Sequence, residues 1–159
     1  MNPLTPAVRR LGKVSWLPKF APAIVGIDRF LERVSRGRIT ILRVAGLPDL
    51  VLTVTGRKSG KPRSTPLLCV PHDGGYLIVG SNWGKPKPPL WSLNLAANPA
   101  AKISVRGREQ AVTARIATGD ERRELWQVLL RTWPAYDVYA ERADREIKVF
   151  VLSPADSGR

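Results

Sequence analysis

Residues that could bind an anion are concentrated between Gly56 and Leu67. Within eight residues, this segment places four cationic side chains and one hydroxyl: Arg57, Lys58, Ser59, Lys61 and Arg63. Such donors form charge-assisted hydrogen bonds with phosphates and carboxylates when a rigid scaffold holds them. A basic run of this kind is also a common solvated surface turn. On these residues alone the two interpretations carry equal weight.

Predicted strands on both sides position this segment. An apolar, β-branched run extends from Asp49 to Thr55 before it, and a second run extends from Ser64 to His72 after it. Short runs of this composition, bounded by glycine and proline, are typical of β-strands. The segment is therefore predicted to join two strands, with its charges at one end of a sheet.

The composition excludes several kinds of catalytic site. Cys69 is the only cysteine and His72 the only histidine, so a zinc site of His and Cys would lack two ligands. The chain has no Gly-x-Ser-x-Gly motif to support a Ser-His-Asp triad. A Walker loop needs four residues between its glycines, whereas three separate Gly56 from Gly60, and a proline follows the lysine. No metal site, serine hydrolase or phosphate-loop NTPase is therefore expected.

The positive charge is concentrated in the first part of the chain. The net charge is +13 over 159 residues, and residues 1–63 hold 13 Lys or Arg against 3 Asp or Glu. With 43% hydrophobic residues, this length predicts one domain with an apolar core. The charge fits three partners: nucleic acid, an anionic membrane surface or an anionic cofactor. Nucleic acid fits least well, because the predicted strands are mainly aliphatic and offer few aromatic platforms for bases.

The N-terminal residues are predicted to form a basic helical extension. Its first part mixes four cations with apolar side chains, and a second helix begins at Pro22 and ends near Gly37. The chain contains no signal peptide pattern and no apolar run long enough to span a membrane. The extension either lies on a membrane face or packs on the protein surface. The predicted units are the extension (1–48), a barrel domain (49–153) and a polar tail (154–159).

The elements after residue 49 predict an α+β fold, a small antiparallel barrel with peripheral helices. Hairpin turns are predicted at Asp73-Gly74-Gly75 and at Gly107, and Thr118 with Glu121 forms a capping box that opens a helix. The further predicted strands are Tyr76–Gly80, Ala101–Arg106, Glu109–Ala117 and Ile147–Leu152; the predicted helices are Leu90–Leu95, one ended by Pro134 and a short one carrying Tyr136 and Tyr139. No alternation of strand and helix suggests a dinucleotide-binding fold.

Three motifs in order resemble the deazaflavin-dependent nitroreductase family. They are Thr-Gly-Arg-Lys-Ser-Gly-Lys-Pro-Arg-x-x-Pro-Leu from Thr55, Ser-Asn-x-Gly from Ser81, and Trp-x-x-Asn-Leu-x-Ala-Asn-Pro from Trp91. The resemblance covers about Leu50 to Leu152. It implies a split β-barrel oxidoreductase that uses the reduced 8-hydroxy-5-deazaflavin coenzyme, coenzyme F-420.

The resemblance implies a division of roles among the coenzyme-binding residues. The phosphodiester and oligoglutamate tail would be held by Arg57, Lys58, Ser59 and Arg63, with Lys61 as a looser electrostatic contributor. The ring would be lined by Pro66, Leu67, Val79 and Gly80, edged by Ser81, Trp83 and Gly84, and closed on its other side by Leu90, Trp91 and Asn94. Since the cofactor supplies the redox chemistry, no acid-base pair is needed.

The implied reaction is hydride transfer to an electron-poor acceptor, a quinone or a nitro compound. The acceptor would be bound by Leu68, Trp133, Tyr136 and Tyr139, with Ser81, Tyr136 and Tyr139 as the catalytic residues. Trp133 replaces a tyrosine common in the family and Leu68 an aromatic residue, so the acceptor pocket is altered. The expected location is cytoplasmic, either free or peripheral at the inner face of the cell membrane. The alternatives are a non-catalytic deazaflavin-binding protein, an FMN-binding split-barrel enzyme and a basic nucleic-acid-binding barrel.

Overall fold

Seven strands form one sheet in the computed structural model, which describes residues 4–156 apart from 12, 16, 21, 25, 28, 29 and 31–40. The strands are β1 (Asp49–Thr55), β2 (Pro62–Leu68), β3 (Val70–His72), β4 (Gly75–Val79), β5 (Ala100–Val105), β6 (Arg108–Ile116) and β7 (Val149–Pro154). They are arranged in the order β2-β1-β5-β6-β7-β4-β3, and all neighbours are antiparallel. The predicted antiparallel architecture is confirmed, and β7 extends one residue beyond the predicted end of the barrel.

Two apolar clusters cover the two faces of this sheet. In β7, Val149 and Val151 belong to one cluster, whereas Phe150 and Leu152 belong to the other. Successive side chains of a strand point to opposite faces, so the two clusters lie on opposite sides of the sheet. In the strand predicted over Ile147–Leu152, residues 149–152 are all apolar because they are buried on both faces of β7.

Helices cover both faces and fix the position of the cavity described below. They are α1 (Leu4–Leu11), α2 (Ile41–Val44), α3 (Leu90–Ala97), α4 (Gly119–Thr132) and α5 (Ala135–Ala143), with 3-10 turns at Leu17–Phe20 and Asn82–Gly84. Trp91 and Leu95 of α3 pack in the cluster of Phe150, and Leu129 of α4 and Tyr136 of α5 pack in the other. Within the described ranges, no helix is long and apolar enough to cross a membrane.

Both predicted hairpin turns are present, with left-handed residues at their tips. Asp73 and Gly74 have φ angles of 47° and 75°, and Arg106 and Gly107 have φ angles of 53° and 81°. Two consecutive positive φ angles give the turn whose twist matches that of the flanking strands. The turns thus fix the register of β3 with β4 and of β5 with β6.

The single strand predicted from Ser64 to His72 is wrong, because the chain changes partner at Cys69. The residues before Cys69 pair with β1 and those after it pair with β4. The Cys69 N–H donates instead to the Pro48 carbonyl oxygen at 3.1 Å. This break lets one run of sequence form both edges of the sheet.

The predicted capping box is also wrong, although α4 begins where it was placed. Thr118 occupies the N-cap but its side chain makes no capping hydrogen bond. Glu121 accepts two hydrogen bonds from Arg115 on β6, one of them at 3.0 Å. A paired guanidinium is a stronger partner for the carboxylate than a backbone N–H.

The N-terminal extension is described in part. Residues 22–24, 26, 27 and 30 are helical. The other residues of the predicted second helix, up to Gly37, lie outside the described residues. Val8 of α1 packs against the cluster that contains Tyr136, so α1 contacts the barrel on one side.

Candidate functional site

An apolar cavity of about 250 Å³ lies between β2, the Asn82–Gly84 turn and α5. Ten of the residues implied by the family resemblance line it: Pro66, Leu67, Leu68, Val79, Ser81, Trp83, Trp91, Trp133, Tyr136 and Tyr139. None of the described residues that line the cavity is charged. The cavity therefore favours a flat, uncharged ring or acceptor over an ion.

Packed aromatic rings form the wall on the α5 side. The ring centroid of Tyr139 lies 6.3 Å from that of Trp83 and 6.3 Å from that of Tyr136. Tyr136 in turn lies 5.9 Å from Trp126, whose indole N–H donates to Asp137 at 2.7 Å. These tilted and edge-to-face pairs hold the rings in fixed orientations.

The hydroxyls of Tyr136 and Tyr139 remain protonated in this wall. Burial raises the pKa of both phenols above the ordinary value of 10.0, and for Tyr139 the neighbouring Trp133 and Arg142 partly oppose this rise. A phenol that keeps its proton donates a hydrogen bond and does not act as a base near neutral pH. Each can therefore donate a hydrogen bond to an acceptor oxygen.

The turn that carries Ser81 and Trp83 has an unusual backbone conformation. Asn82, Trp83 and Gly84 have φ angles of 46°, 59° and 77°. A Cβ on Gly84 would lie 3.0 Å from both Cα and the carbonyl oxygen of Tyr139. Only glycine allows the turn to approach α5 so closely.

The basic loop is a compact turn held by its own hydrogen bonds. The Gly56 N–H donates to the Lys61 carbonyl oxygen and the Gly60 N–H to the Gly56 carbonyl oxygen, both at 2.8 Å. The Ser59 hydroxyl accepts from the Lys61 N–H at 3.2 Å. In the described part of the chain, the loop's Arg and Lys side chains are exposed and form no salt bridge. The loop thus presents uncompensated positive charge.

Asn94 connects this loop to the helix that lines the cavity. Its Oδ1 accepts hydrogen bonds from the Arg57 backbone N–H at 3.1 Å and from the Arg57 Nη1 at 3.2 Å. Asn94 is buried in α3, one turn after Trp91 of the cavity wall. Two residues that the resemblance assigns separately to the coenzyme thus bind each other.

Nine residues implied by the resemblance lie outside the cavity lining: Arg57, Lys58, Ser59, Lys61, Arg63, Gly80, Gly84, Leu90 and Asn94. The first five belong to the basic loop and its exit into β2. Gly80 is buried where a Cβ would lie 3.3 Å from the Cβ of Ser92, so it allows α3 to pack closely. The Leu90 side chain is 71% exposed.

Five lining residues were missed by the sequence analysis: Ile24, Leu42, Thr65, Asn82 and Pro89. Thr65, Asn82 and Pro89 lie within or beside the recognised motifs, and proximity to these motifs was the available signal. Ile24 and Leu42 belong to the N-terminal extension, and no local pattern directs them to the barrel.

A larger cleft of about 1120 Å³ contains none of the implied site residues. It is lined partly by Arg43 and Asp49, which pair through two hydrogen bonds of 3.1 Å. Glu109, also in this cleft, pairs with Lys102 at 3.3 Å. Arg106 and Arg108 also line this cleft. Because the smaller aromatic cavity contains ten of the implied residues and the cleft contains none, the smaller cavity is the stronger candidate.

Comparisons with known proteins show the family of the chain. Residues 29–154 match the model of the F-420H(2)-dependent quinone reductase family. The chain belongs to this family. It is 36% identical over 126 residues to an F-420H(2)-dependent quinone reductase of Mycobacterium tuberculosis, covering 77% of this chain and 85% of that protein.

Solved structures show the same relationship. The chain matches the structure of an F-420-H2-dependent reductase with a TM-score of 0.62 and 37% identity, over 67% of this chain and 94% of that one. A structure described as a domain-swapped dimer matches with a TM-score of 0.65 and 35% identity, over 80% and 94%. The predicted split β-barrel fold and the predicted coenzyme, F-420, are confirmed, and the chain is an oxidoreductase of this family.

Proposed function

We propose that this oxidoreductase transfers a hydride from reduced coenzyme F-420 to a quinone in the aromatic cavity. One observation carries the proposal: the cavity, with aromatic walls and no charge among its described lining residues, shares β2 and α3 with a loop whose cations form no salt bridge with any described residue. The coenzyme has a flat ring at one end and an anionic tail at the other. A neutral cavity joined to a cationic loop matches both ends.

The chain's own residues divide the coenzyme between these two regions. Arg57, Lys58, Ser59 and Arg63 would hold the phosphate and tail, with Lys61 adding to the local potential. The ring would lie against Pro66, Leu67 and Val79 on one side and Trp83 and Trp91 on the other. When bound, the reduced coenzyme supplies a hydride, and one proton completes the conversion of quinone to hydroquinone.

The polar groups of the cavity serve the acceptor. Tyr136 and Tyr139 keep their protons, so each can donate a hydrogen bond to a quinone oxygen, where negative charge develops during reduction. Ser81 lies in the same lining and can relay a proton to that oxygen. Leu68 and Trp133 supply apolar contact to the acceptor ring.

The lack of charge in the cavity lining favours an apolar quinone over a charged acceptor. Nitro compounds, the other acceptor class that the sequence implies, are electron-poor but lack paired carbonyl oxygens. We expect quinones to be reduced with the higher kcat/KM. A parallel assay with menadione and a nitroimidazole measures this preference.

A quinone carried in lipid would require the protein to reach the membrane surface. Leu11, Phe20, Ile27 and Phe30 of the extension are 46–65% exposed, and cations lie among them. Apolar side chains flanked by cations are typical of segments that lie in an anionic interface. Ile24 of the same extension lines the cavity, so the surface proposed to meet lipid adjoins the acceptor site.

Titration with the oxidised coenzyme tests the proposal. We expect saturable binding at micromolar concentration, with weaker binding of FMN and of single-stranded DNA. Loss of reduced-coenzyme absorbance that depends on menadione would demonstrate turnover. Binding without turnover would instead identify a coenzyme-binding protein, and no binding of the deazaflavin would contradict the proposal.

A further inference from the structure

Arg145, which follows α5, donates hydrogen bonds to three backbone carbonyls of the turn that carries Ser81. Its Nη2 lies 3.2 Å from the carbonyl oxygen of Gly80 and 3.2 Å from that of Ser81, and its Nε lies 3.3 Å from that of Lys85. The planar guanidinium has a fixed fork of donors, which suits it to such converging oxygens. Among the described residues, no carboxylate forms a salt bridge with Arg145.

The turn requires such support, because its conformation is unfavourable for the residues that occupy it. Asn82 and Trp83 both have positive φ angles, which place Cβ close to the following carbonyl oxygen. Backbone held in this region persists only where the surroundings over-determine it. Arg142 adds one further hydrogen bond, to the Trp83 carbonyl oxygen at 3.4 Å.

The two sides of the turn therefore have different tasks. The carbonyl groups of Gly80, Ser81 and Trp83 accept hydrogen bonds from Arg142 of α5 and from Arg145 after it. The side chains of Ser81 and Trp83 line the cavity. In the same cavity lining, the ring of Tyr139 from α5 packs with its centroid 6.3 Å from that of Trp83. Arg145 thus links the turn to the end of the helix that carries the acceptor-side tyrosine.

We propose that Arg145 is a positioning residue for the coenzyme ring. It fixes the turn from Gly80 to Lys85, and so holds the side chains of Ser81 and Trp83 in place relative to Tyr139. This inference rests on the proposed function, because it assigns the turn to the ring of coenzyme F-420. Arg145 acts through the turn and touches neither coenzyme nor acceptor.

The test compares Arg145→Ala and Arg145→Lys with Arg131→Ala. Arg131 is an exposed residue of α4, so Arg131→Ala removes the same charge as Arg145→Ala without affecting the turn. We expect Arg145→Ala to raise the Kd of the oxidised coenzyme by roughly 5- to 50-fold, the scale of lost charge-assisted hydrogen bonds. Arg145→Lys should recover part of the affinity, because one ammonium cannot span all three carbonyls. Arg131→Ala should stay within about twofold of wild type.

The salt dependence of binding separates this role from that of the basic loop. A residue that acts through local geometry should leave the slope of log Kd against log salt unchanged, whereas removing a loop cation should reduce it. An Arg145→Ala affinity within twofold of Arg131→Ala would overturn the proposal. So would a loss of affinity accompanied by an equally reduced salt slope.

Hydrogen exchange of the coenzyme-free protein provides a second readout that does not depend on the proposed function. We expect faster exchange of the amides of residues 81–85 in both Arg145 variants, with protection of β4 and β7 retained. Unchanged exchange in the turn, or an equal increase throughout the barrel, would overturn the inference. If wild type fails to bind coenzyme F-420 while this exchange pattern is seen, the proposed function fails and the fixing of the turn by Arg145 stands.

Discussion

Tyr139 is the side chain for which the structure most clearly separates acceptor chemistry from coenzyme binding. It is 2% exposed, lines the cavity and keeps its phenolic proton. We expect Tyr139→Phe to lower kcat/KM for menadione by about 10- to 100-fold, since a hydrogen bond to developing charge is lost. The coenzyme Kd should change less than about twofold.

Tyr76→Phe is the matched control, because Tyr76 lies on β4 and lines the other cleft. Its kinetics should equal those of wild type. Steady-state assays at varied menadione, combined with a coenzyme titration, measure both quantities. A weaker coenzyme affinity with unchanged acceptor kinetics would assign Tyr139 to the coenzyme instead.

Cys69 gives a prediction for stability at alkaline pH. Burial, with a further contribution from the nearby Asp49, raises the pKa of its thiol from 9.0 to about 12. Above pH 9 the unfolded chain releases this proton and the folded protein retains it, so the free energy of unfolding falls as pH rises. Between pH 8 and 10.5, this thiol alone removes about 2 kcal/mol.

Cys69→Ala tests this prediction through the change in the free energy of unfolding between two pH values. The packing defect of the variant is the same at both pH values, so it does not contribute to that change. Urea unfolding of the two proteins at pH 8 and pH 10.5, under reducing conditions, should show a smaller alkaline loss for the variant. The buried tyrosines contribute equally to both proteins and cancel. Identical losses would show that the thiol ionises as readily in the folded protein as in the unfolded chain.

At the scale of elements, we expect the basic loop to determine coenzyme affinity and Asn94 of α3 to hold the loop in place. Lys58→Ala and Arg63→Ala should each weaken coenzyme binding by about 1–3 kcal/mol, the range for hydrogen bonds to charged groups. Turnover of the bound coenzyme should change little. Fluorescence titration over a series of salt concentrations should give a smaller salt slope in each variant. Lost turnover with intact affinity would place these residues in the chemistry.

Asn94→Ala isolates the contribution of loop placement. Removing Oδ1 leaves the Arg57 N–H and guanidinium without their common partner, and the loop loses its connection to α3. We expect weaker coenzyme binding, by about 1–2 kcal/mol, with the salt slope of wild type, because no charge is removed. Asn98→Ala, four residues further along the chain and exposed, is the control. A reduced salt slope would contradict this role.

Most strands and both hairpins could be predicted from the sequence, because a few neighbouring residues determine them: glycines allow the positive φ angles of the turns, and runs of apolar residues favour strands. The break at Cys69 and the absence of the capping box were missed because they depend on tertiary contacts: the Cys69 N–H donates to Pro48, and Arg115 binds Glu121. For the cavity, the motifs predicted ten lining residues. Ile24 and the supporting role of Arg145 depend on contacts between distant parts of the chain, for which one sequence carries no signal.

At the scale of the whole molecule, the charge is divided between two regions with different predicted partners. The basic loop would serve the coenzyme, while Arg9, Arg10, Lys13 and Lys19 lie in the extension among exposed apolar side chains. Val8 packs against the core, so α1 is fixed to the barrel rather than independent of it. Under the proposed membrane role, we expect α1 to hold the barrel in a defined orientation at the surface.

Deleting residues 1–20 should release the protein from anionic vesicles. Each cation near such a surface contributes about 1 kcal/mol, so losing these four should reduce partitioning by several hundredfold at low salt. Co-sedimentation with phosphatidylglycerol vesicles measures this, and phosphatidylcholine vesicles should bind neither form. Because Val8 contacts the core, a full-length variant with Arg9, Arg10 and Lys13 changed to Glu provides the same test without the deletion. Both variants should reduce menadione supplied in solution at the wild-type rate. Undiminished vesicle binding by both variants would refute a membrane role for the extension.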